Sequence, residues 1–187
     1  MSDQFREVFI DFLPNQPKNE QTLESSRQML RQQFEQRLPS AVERIWDLPP
    51  IMVWPSETYH ELLLEARHLF VDGYFYSCVA MCGIVGERLL KDMFRASILI
   101  QKAGQLTIPA SAALDQLERT GARTITEFLS ECGLLGDAAQ QAAEKLQTLR
   151  NRYAHASGSD PQEDAISALS FFIALWNVRY QCSKILN

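Results

Sequence analysis

The chain has 187 residues, which suits one folded domain with room for an appended arm. Its formal net charge of -5 argues against a protein that holds nucleic acid by bulk electrostatics, because such proteins are usually basic. The start, Met1-Ser2-Asp3-Gln4, lacks a secretory signal pattern, and the longest apolar run, residues 79–85, is too short to span a bilayer. We therefore expect a cytoplasmic protein with no membrane partner.

The cysteine and histidine spacings favour no metal site. The pair Cys78 and Cys82 has no second Cys/His pair to complete a zinc signature, and His60 and His68 lack the His-Glu-x-x-His spacing. We expect the four cysteines to be mostly small buried side chains in a reducing compartment. No metal and no cofactor is expected.

We expect the N-terminal third of the chain to lie outside the main helical bundle. Residues 1 to about 19 predict an arm, and a polar helix is predicted from Glu20 to Arg37 with a thin apolar stripe at Leu23, Leu30 and Phe34. Residues 48–55 contain three prolines and should lie extended over the core, anchored by Trp54. We assign residues 1–54 to this region and residues 55–187 to a helical bundle.

The following segments predict helices throughout. Ser56 should cap a helix that ends at Gly73, and a second helix is predicted over residues 74–100. The second helix is rich in small residues, which suits a central element that its neighbours approach closely. Shorter helices are predicted near residues 110–119 and 124–132. Because no segment shows a convincing strand pattern, the predicted fold class is all-α.

Two long helices complete the chain. One is predicted to begin with Asp137 as its cap and to end at Ser157-Gly158, with Gly158 at the C′ position. The other, residues 161–185, has Asp160 as N-cap, proline at its first position and an acid at its third. Its apolar residues cover so wide an arc that it is either deeply buried or shared with a second subunit.

The helix that begins at Asp137 carries the candidate site. At about 100° per residue, Asn151 and His155 fall opposite its core stripe, and Arg150 and Arg152 fall on the two flanks. The core stripe comprises Ala139, Ala142, Leu146, Leu149 and Tyr153. A histidine can move protons near neutral pH and a guanidinium can hold a phosphate, but a histidine in a last helical turn also has a structural explanation through the helix dipole.

The pattern Arg150-Asn151-x-x-x-His155, late in an all-α chain and just before a capped terminal helix, resembles the signature of the HEPN superfamily (higher eukaryotes and prokaryotes nucleotide-binding domains). An earlier run resembles one prokaryotic branch known mainly as a domain of unknown function: Tyr59, Glu65-Ala66-Arg67, Gly73, and Ala80 through Glu87-Arg88-Leu89-Leu90-Lys91. The resemblance covers roughly Pro55 to His155, and the last helix more loosely.

The resemblance implies an up-and-down bundle of four to five main helices that dimerises, with two motifs facing each other across a cleft. It further implies a metal-independent endoribonuclease in which His155 transfers protons, Arg150 stabilises the phosphorane and Asn151 orients the pair. The expected products carry a 2′,3′-cyclic phosphate. Arg152 and Tyr153 are supporting candidates. Glu87 could meet Arg150 across neighbouring helices, or could simply form an i,i+4 pair with Lys91.

Two functions therefore stay open. The first is a homodimeric HEPN-like ribonuclease that acts on RNA, alone or as the toxic or effector half of a toxin–antitoxin or antiviral defence pair. The second is a non-catalytic HEPN-like module that binds an antitoxin or another partner protein. The acidic net charge favours the second function, and the intact motif favours the first.

Overall fold

A computed structural model describes residues 18–51, 59–102, 104–117, 119–155 and 157–185. Within these ranges the chain forms helices and one short antiparallel hairpin, which confirms the all-α helical bundle. In chain order the elements are α1 (Glu20–Asp47), α2 (His60–Val71), α3 (Phe75–Ser97), β1 (Ile100–Lys102), β2 (Gln105–Thr107), α4 (Ser111–Leu117), α5 (Ala122–Glu131), α6 (Asp137–Ala154) and α7 (Pro161–Ile185).

Contacts group the chain into two units, Met1–Ser40 and Ala41–Asn187. The predicted boundary between residues 54 and 55 stays a prediction, and Trp54 and Ser56 lie outside the described residues. Helix α1 runs through Pro39 to Asp47, so its predicted end at Arg37 is wrong. A proline costs a helix one backbone hydrogen bond, but the residues that follow Pro39 continue the helix.

Helix α3 is the central element of the second unit, as its small residues predicted. It packs against α2, α5, α6 and α7, and ten of its residues are buried. Gly83 and Gly86 explain the close approach of α6, because a Cβ at either position would clash with a side chain of that helix. Cys78 and Cys82 are buried and free, whereas Cys132 is exposed, against the expectation of a buried thiol.

Helix α7 supplies the largest share of the remaining core. It begins at Pro161 as predicted, and the Glu163 N–H donates to Asp160 Oδ1 over 3.3 Å, which satisfies one of the free donors of the first turn. Its buried residues pack against those of α2, α3 and α6 in one cluster. From α7 that cluster includes Ala165, Ala168, Leu169, Phe172, Leu175 and Trp176.

The chain between α3 and α4 forms a hairpin that the sequence did not predict. Ile100 pairs with Thr107 and Lys102 with Gln105, and Gly104 in the turn has a φ of 81° that favours glycine. Strands of three residues are too short to show a clear alternation of apolar and polar side chains. None of the helices in the described ranges combines the length and hydropathy that a bilayer-spanning segment needs.

Candidate site at the end of helix α6

The two faces of α6 lie as the helical spacing predicted. The core stripe is buried: Ala139, Ala142, Leu146, Leu149 and Tyr153. Asn151 and His155 are exposed, and Arg152 is exposed on its flank. The imidazole and the amide are therefore accessible to solvent, one helical turn apart.

Helix α6 ends three residues earlier than predicted. It ends at Ala154 with His155 as the C-cap, and Gly136, rather than Asp137, is its N-cap. The Ser157 N–H donates to the Arg152 carbonyl over 3.1 Å, which is the bond from C″ to C3 that closes many helices. His155 therefore lies at the point where the chain leaves the helix.

Gly158 has a steric role in place of the predicted C′ role. Its φ is not positive, so the left-handed conformation of a C′ glycine does not explain it. A Cβ at this position would overlap the ring of Tyr153. The chain after α6 thus passes directly over Tyr153, which requires a residue without a side chain.

Arg150 belongs to an ion cluster between α6 and α3. Its Nη1 lies 3.1 Å from Glu87 Oε2, while Lys91 Nζ donates to Glu87 Oε1 over 2.7 Å. Both predicted partners of Glu87, Arg150 and Lys91, are therefore observed, because one carboxylate binds both cations. The Arg150 side chain remains 38% exposed, so the guanidinium is accessible while it is paired.

Gly83 makes this arrangement possible. Its missing side chain leaves the space that the Cβ and Cγ of Arg150 occupy, since a Cβ on residue 83 would lie 2.6 Å from the Arg150 Cβ. The arginine stem can therefore lie across α3 and reach Glu87, one turn further along that helix. The sequence indicates close packing at Gly83 but does not show which residue packs there.

Tyr153 and Arg152 meet on Asp164 of α7. The Tyr153 hydroxyl donates to Asp164 Oδ2 over 2.8 Å, and Arg152 Nη1 lies 3.3 Å from the same oxygen. Burial and, next, the hydrogen bond to Asp164 raise the pKa of Tyr153. The Tyr76 ring packs edge-on against Tyr153 with centroids 4.7 Å apart. Tyr153 and Arg152 thus hold the end of α6 against α7, and Tyr153 also holds it against α3.

Asp164 and Tyr76 were not identified from the sequence. Asp164 lies in the first turn of α7, where an acid already has an explanation as a partner of the helix dipole. Only the known packing of α6 beside α7 shows that it also faces Arg152 and Tyr153.

A single chain does not bring Arg150 and His155 to one point. Residues five apart on an α-helix differ by about 140° in direction and by about 7.5 Å in height. Arg150 is directed to Glu87 on α3, whereas the described residues offer the His155 side chain no hydrogen bond or ion pair. Asn151 is exposed on the His155 side of the helix.

A groove beside this site collects further polar groups. It lies between α6 and α7, measures about 370 Å³, and Lys145 and Arg152 both line it. Glu144 and Asp164 line it as well, so its charges are balanced. Lys145 Nζ lies 5.7 Å from the centre of the Phe171 ring, which presents an aromatic face in the same groove.

No protein-family model, curated protein or solved structure matches this chain. Within the described ranges, no three His, Cys, Asp or Glu side chains form a group that could hold a metal ion.

Proposed function

We propose that this protein is a HEPN-like, metal-independent endoribonuclease whose active site is completed by two copies of the chain. The observation that carries the proposal is the presentation of His155 and Asn151 to solvent at the end of α6, with a partly exposed Arg150 on another side of the same helix. At the C-cap His155 can also interact with the helix dipole. Its exposed position leaves the imidazole accessible to a ligand.

The reaction needs one base, one acid and one cation. His155 takes the proton from a ribose 2′-hydroxyl as the 2′-oxygen attacks the adjacent phosphorus. The bond from phosphorus to the 5′-oxygen breaks, and a protonated imidazole gives its proton to that leaving oxygen. The products are a 2′,3′-cyclic phosphate and a 5′-hydroxyl, so atoms and charges balance without a metal or cofactor.

Arg150 stabilises the pentacoordinate phosphorus. Its guanidinium binds the non-bridging oxygens, whose negative charge increases in the transition state. Arg150 must then divide its hydrogen bonds between Glu87 and the phosphate, which its five N–H donors allow. Asn151, one turn before His155, donates or accepts a hydrogen bond that orients the imidazole or the RNA.

The direction of the side chains supports a site shared between copies. Arg150 and His155 leave one helix in different directions, so a phosphate held by Arg150 of one copy is best reached by His155 of the other. A homodimer with two facing α6 ends supplies this pairing twice. An RNA strand would also pass Lys145 and Arg152 in the adjoining groove.

Cleavage of labelled RNA in excess EDTA tests the proposal. We expect wild-type protein to cleave and His155→Ala, Arg150→Ala and Asn151→Ala to lose most of the activity, with 2′,3′-cyclic phosphate ends on the products. His68→Ala is the matched control, because His68 is also an exposed histidine near the end of a helix. No cleavage by wild-type protein, or equal cleavage by all variants, would refute the proposal.

A non-catalytic interaction module is the second candidate. The observation that favours it is the Arg150–Glu87–Lys91 cluster, which ties α6 to α3 and gives Arg150 a structural role. Such a module would bind an antitoxin or another protein and would not cleave RNA. In that case Arg150→Ala would lower stability while wild-type protein left RNA intact.

A further inference from the structure

Helix α1 carries apolar side chains that are exposed among the residues the structure describes. It is described along its whole length of 28 residues, and none of them is buried. Leu30, Phe34 and Ile45 are 60%, 65% and 53% exposed. Isolated helices are marginally stable in water, and most helices in proteins are held by packing of an apolar face. We therefore expect a binding partner to cover the exposed apolar face of α1.

Part of this face, without the exposed Val42 and Trp46, has a symmetric spacing that points to a second copy of the chain as the partner. Its centre is Phe34, and three positions follow at distances of four, seven and eleven residues on either side. Steps of three and four residues keep all seven positions on one side of an α-helix. The α1 stripe, as we call these positions, comprises Leu23, Arg27, Leu30, Phe34, Leu38, Ala41 and Ile45.

Because the positions of the α1 stripe are spaced equally on either side of Phe34, two stripes in an antiparallel pair bring every position opposite another position of the stripe. If two α1 helices cross at Phe34 with a two-fold axis between them, each Leu30 meets Leu38 of the second copy. Leu23 then meets Ile45 of the second copy, and the two Phe34 rings meet at the axis. Each layer thus joins apolar side chains, with one exception.

The exception, Arg27, favours the antiparallel arrangement over the parallel one. In the antiparallel pair Arg27 lies opposite Ala41, whose small side chain leaves room for the arginine stem. In a parallel pair with the same layers, the two Arg27 side chains would face each other. The Arg27 head is already neutralised within its own helix, since its Nη1 lies 3.2 Å from Glu24 and 3.4 Å from Glu20.

The charges beside the stripe are complementary as well. Arg31 and Glu35 lie on the same flank of α1, close to the axis at Phe34. An antiparallel pair places equal flanks together, so Arg31 of each copy lies near Glu35 of the other. The acidic and basic residues of α1 nearly balance, which disfavours adsorption to an anionic membrane.

We infer that the α1 stripe is a self-association surface that binds α1 of a second copy of this chain, antiparallel and centred on Phe34. The inference is independent of RNA cleavage, because it uses no residue of the α6 site. It assigns a role to a segment that the proposed ribonuclease chemistry does not require.

The molar mass of the full chain in solution tests the surface. We expect wild-type protein to be a dimer by light scattering at micromolar concentration, and Phe34→Glu to shift the dissociation constant upward by at least a hundredfold. Gln36→Glu places the same charge on the polar side of α1 and should leave the dimer intact. Since no α1 residue is buried, both variants should keep the bundle folded, which circular dichroism checks. A monomeric wild type, or a dimer that Phe34→Glu does not weaken, would overturn the inference.

Disulfide trapping tests the direction of the pair, in a background where the exposed Cys132 is replaced by serine. A mixture of Leu30→Cys and Leu38→Cys proteins should form a mixed disulfide, because these positions face each other. Leu30→Cys alone should not crosslink, since antiparallel copies separate the two residues 30 by about 12 Å along the axis. Efficient crosslinking of Leu30→Cys to itself would show a parallel pair and contradict the inference.

Discussion

Replacement of Gly83 by alanine tests the close approach that positions Arg150. Alanine is the better helix former, and in an open helical position the change would stabilise the protein by about 1 kcal/mol. At Gly83, however, the new methyl would lie 2.6 Å from the Cβ of Arg150 and 2.8 Å from its Cγ. The Cβ is fixed by the α6 backbone, so the helices α3 and α6 must separate.

The cost of that separation exceeds the gain in helix propensity. Overpacking a core by one methyl typically costs about 1–3 kcal/mol, and the fixed position of the Arg150 Cβ favours the upper half of that range. The net loss of unfolding free energy is then about 1–2 kcal/mol. For a chain of this size it corresponds to a decrease in Tm of about 3–6 °C.

Gly86→Ala is the matched control in the same helix. Its new methyl would meet Leu146 Cδ2 at 2.6 Å, but this atom is the end of a flexible side chain that can change rotamer. The propensity gain is the same, so Gly86→Ala should lose about 1 kcal/mol less than Gly83→Ala. Urea unfolding of both variants gives the comparison. Equal stabilities, or a Gly83→Ala protein more stable than wild type, would refute the packing argument.

The remaining predictions concern a tyrosine and a helix cap. Burial and, next, hydrogen bonding to Asp92 raise the pKa of Tyr59 from 10.0 to about 12. The neutral phenol therefore stabilises the fold below about pH 10, and this contribution is lost as the pH rises through about 12. Tyr59→Phe should flatten the fall in unfolding free energy over that interval, and an unchanged slope would contradict the assignment. Asp160→Ala should remove the cap of α7 and cost about 1 kcal/mol, while Asp160→Asn should retain most of it. Thermal unfolding of the two variants measures these changes. An equal loss of stability in both would show that Asp160 does not cap α7.

The buried face of α6 and the start of α7 were accessible from the sequence because each carries a clear local signal. The apolar spacing of α6 identified its buried face and its exposed Asn151 and His155, and the Asp160-Pro161 pair located the start of α7. These features depend on residues within a few turns of each other. The end of α1 was missed because a proline usually stops a helix, and Pro39 does not.

The contacts between helices were less accessible, because they depend on how distant segments pack. Nothing near Glu87 in the chain distinguishes a pair with Lys91 from a pair with Arg150, and the structure contains both. Likewise, Asp164 had a sufficient local explanation at the start of its helix. Only the packing of α6 against α7 places it on Tyr153 and Arg152.

Complementation between two inactive variants tests the shared ribonuclease site most directly. Arg150→Ala and His155→Ala proteins should each leave RNA intact in EDTA. When the two are mixed and their subunits exchange, about half of the dimers are mixed, and each mixed dimer holds one intact site. The account predicts a return of about a quarter of the wild-type cleavage rate. A mixture that stays inactive while wild-type protein cleaves would contradict the claim that two copies share the site.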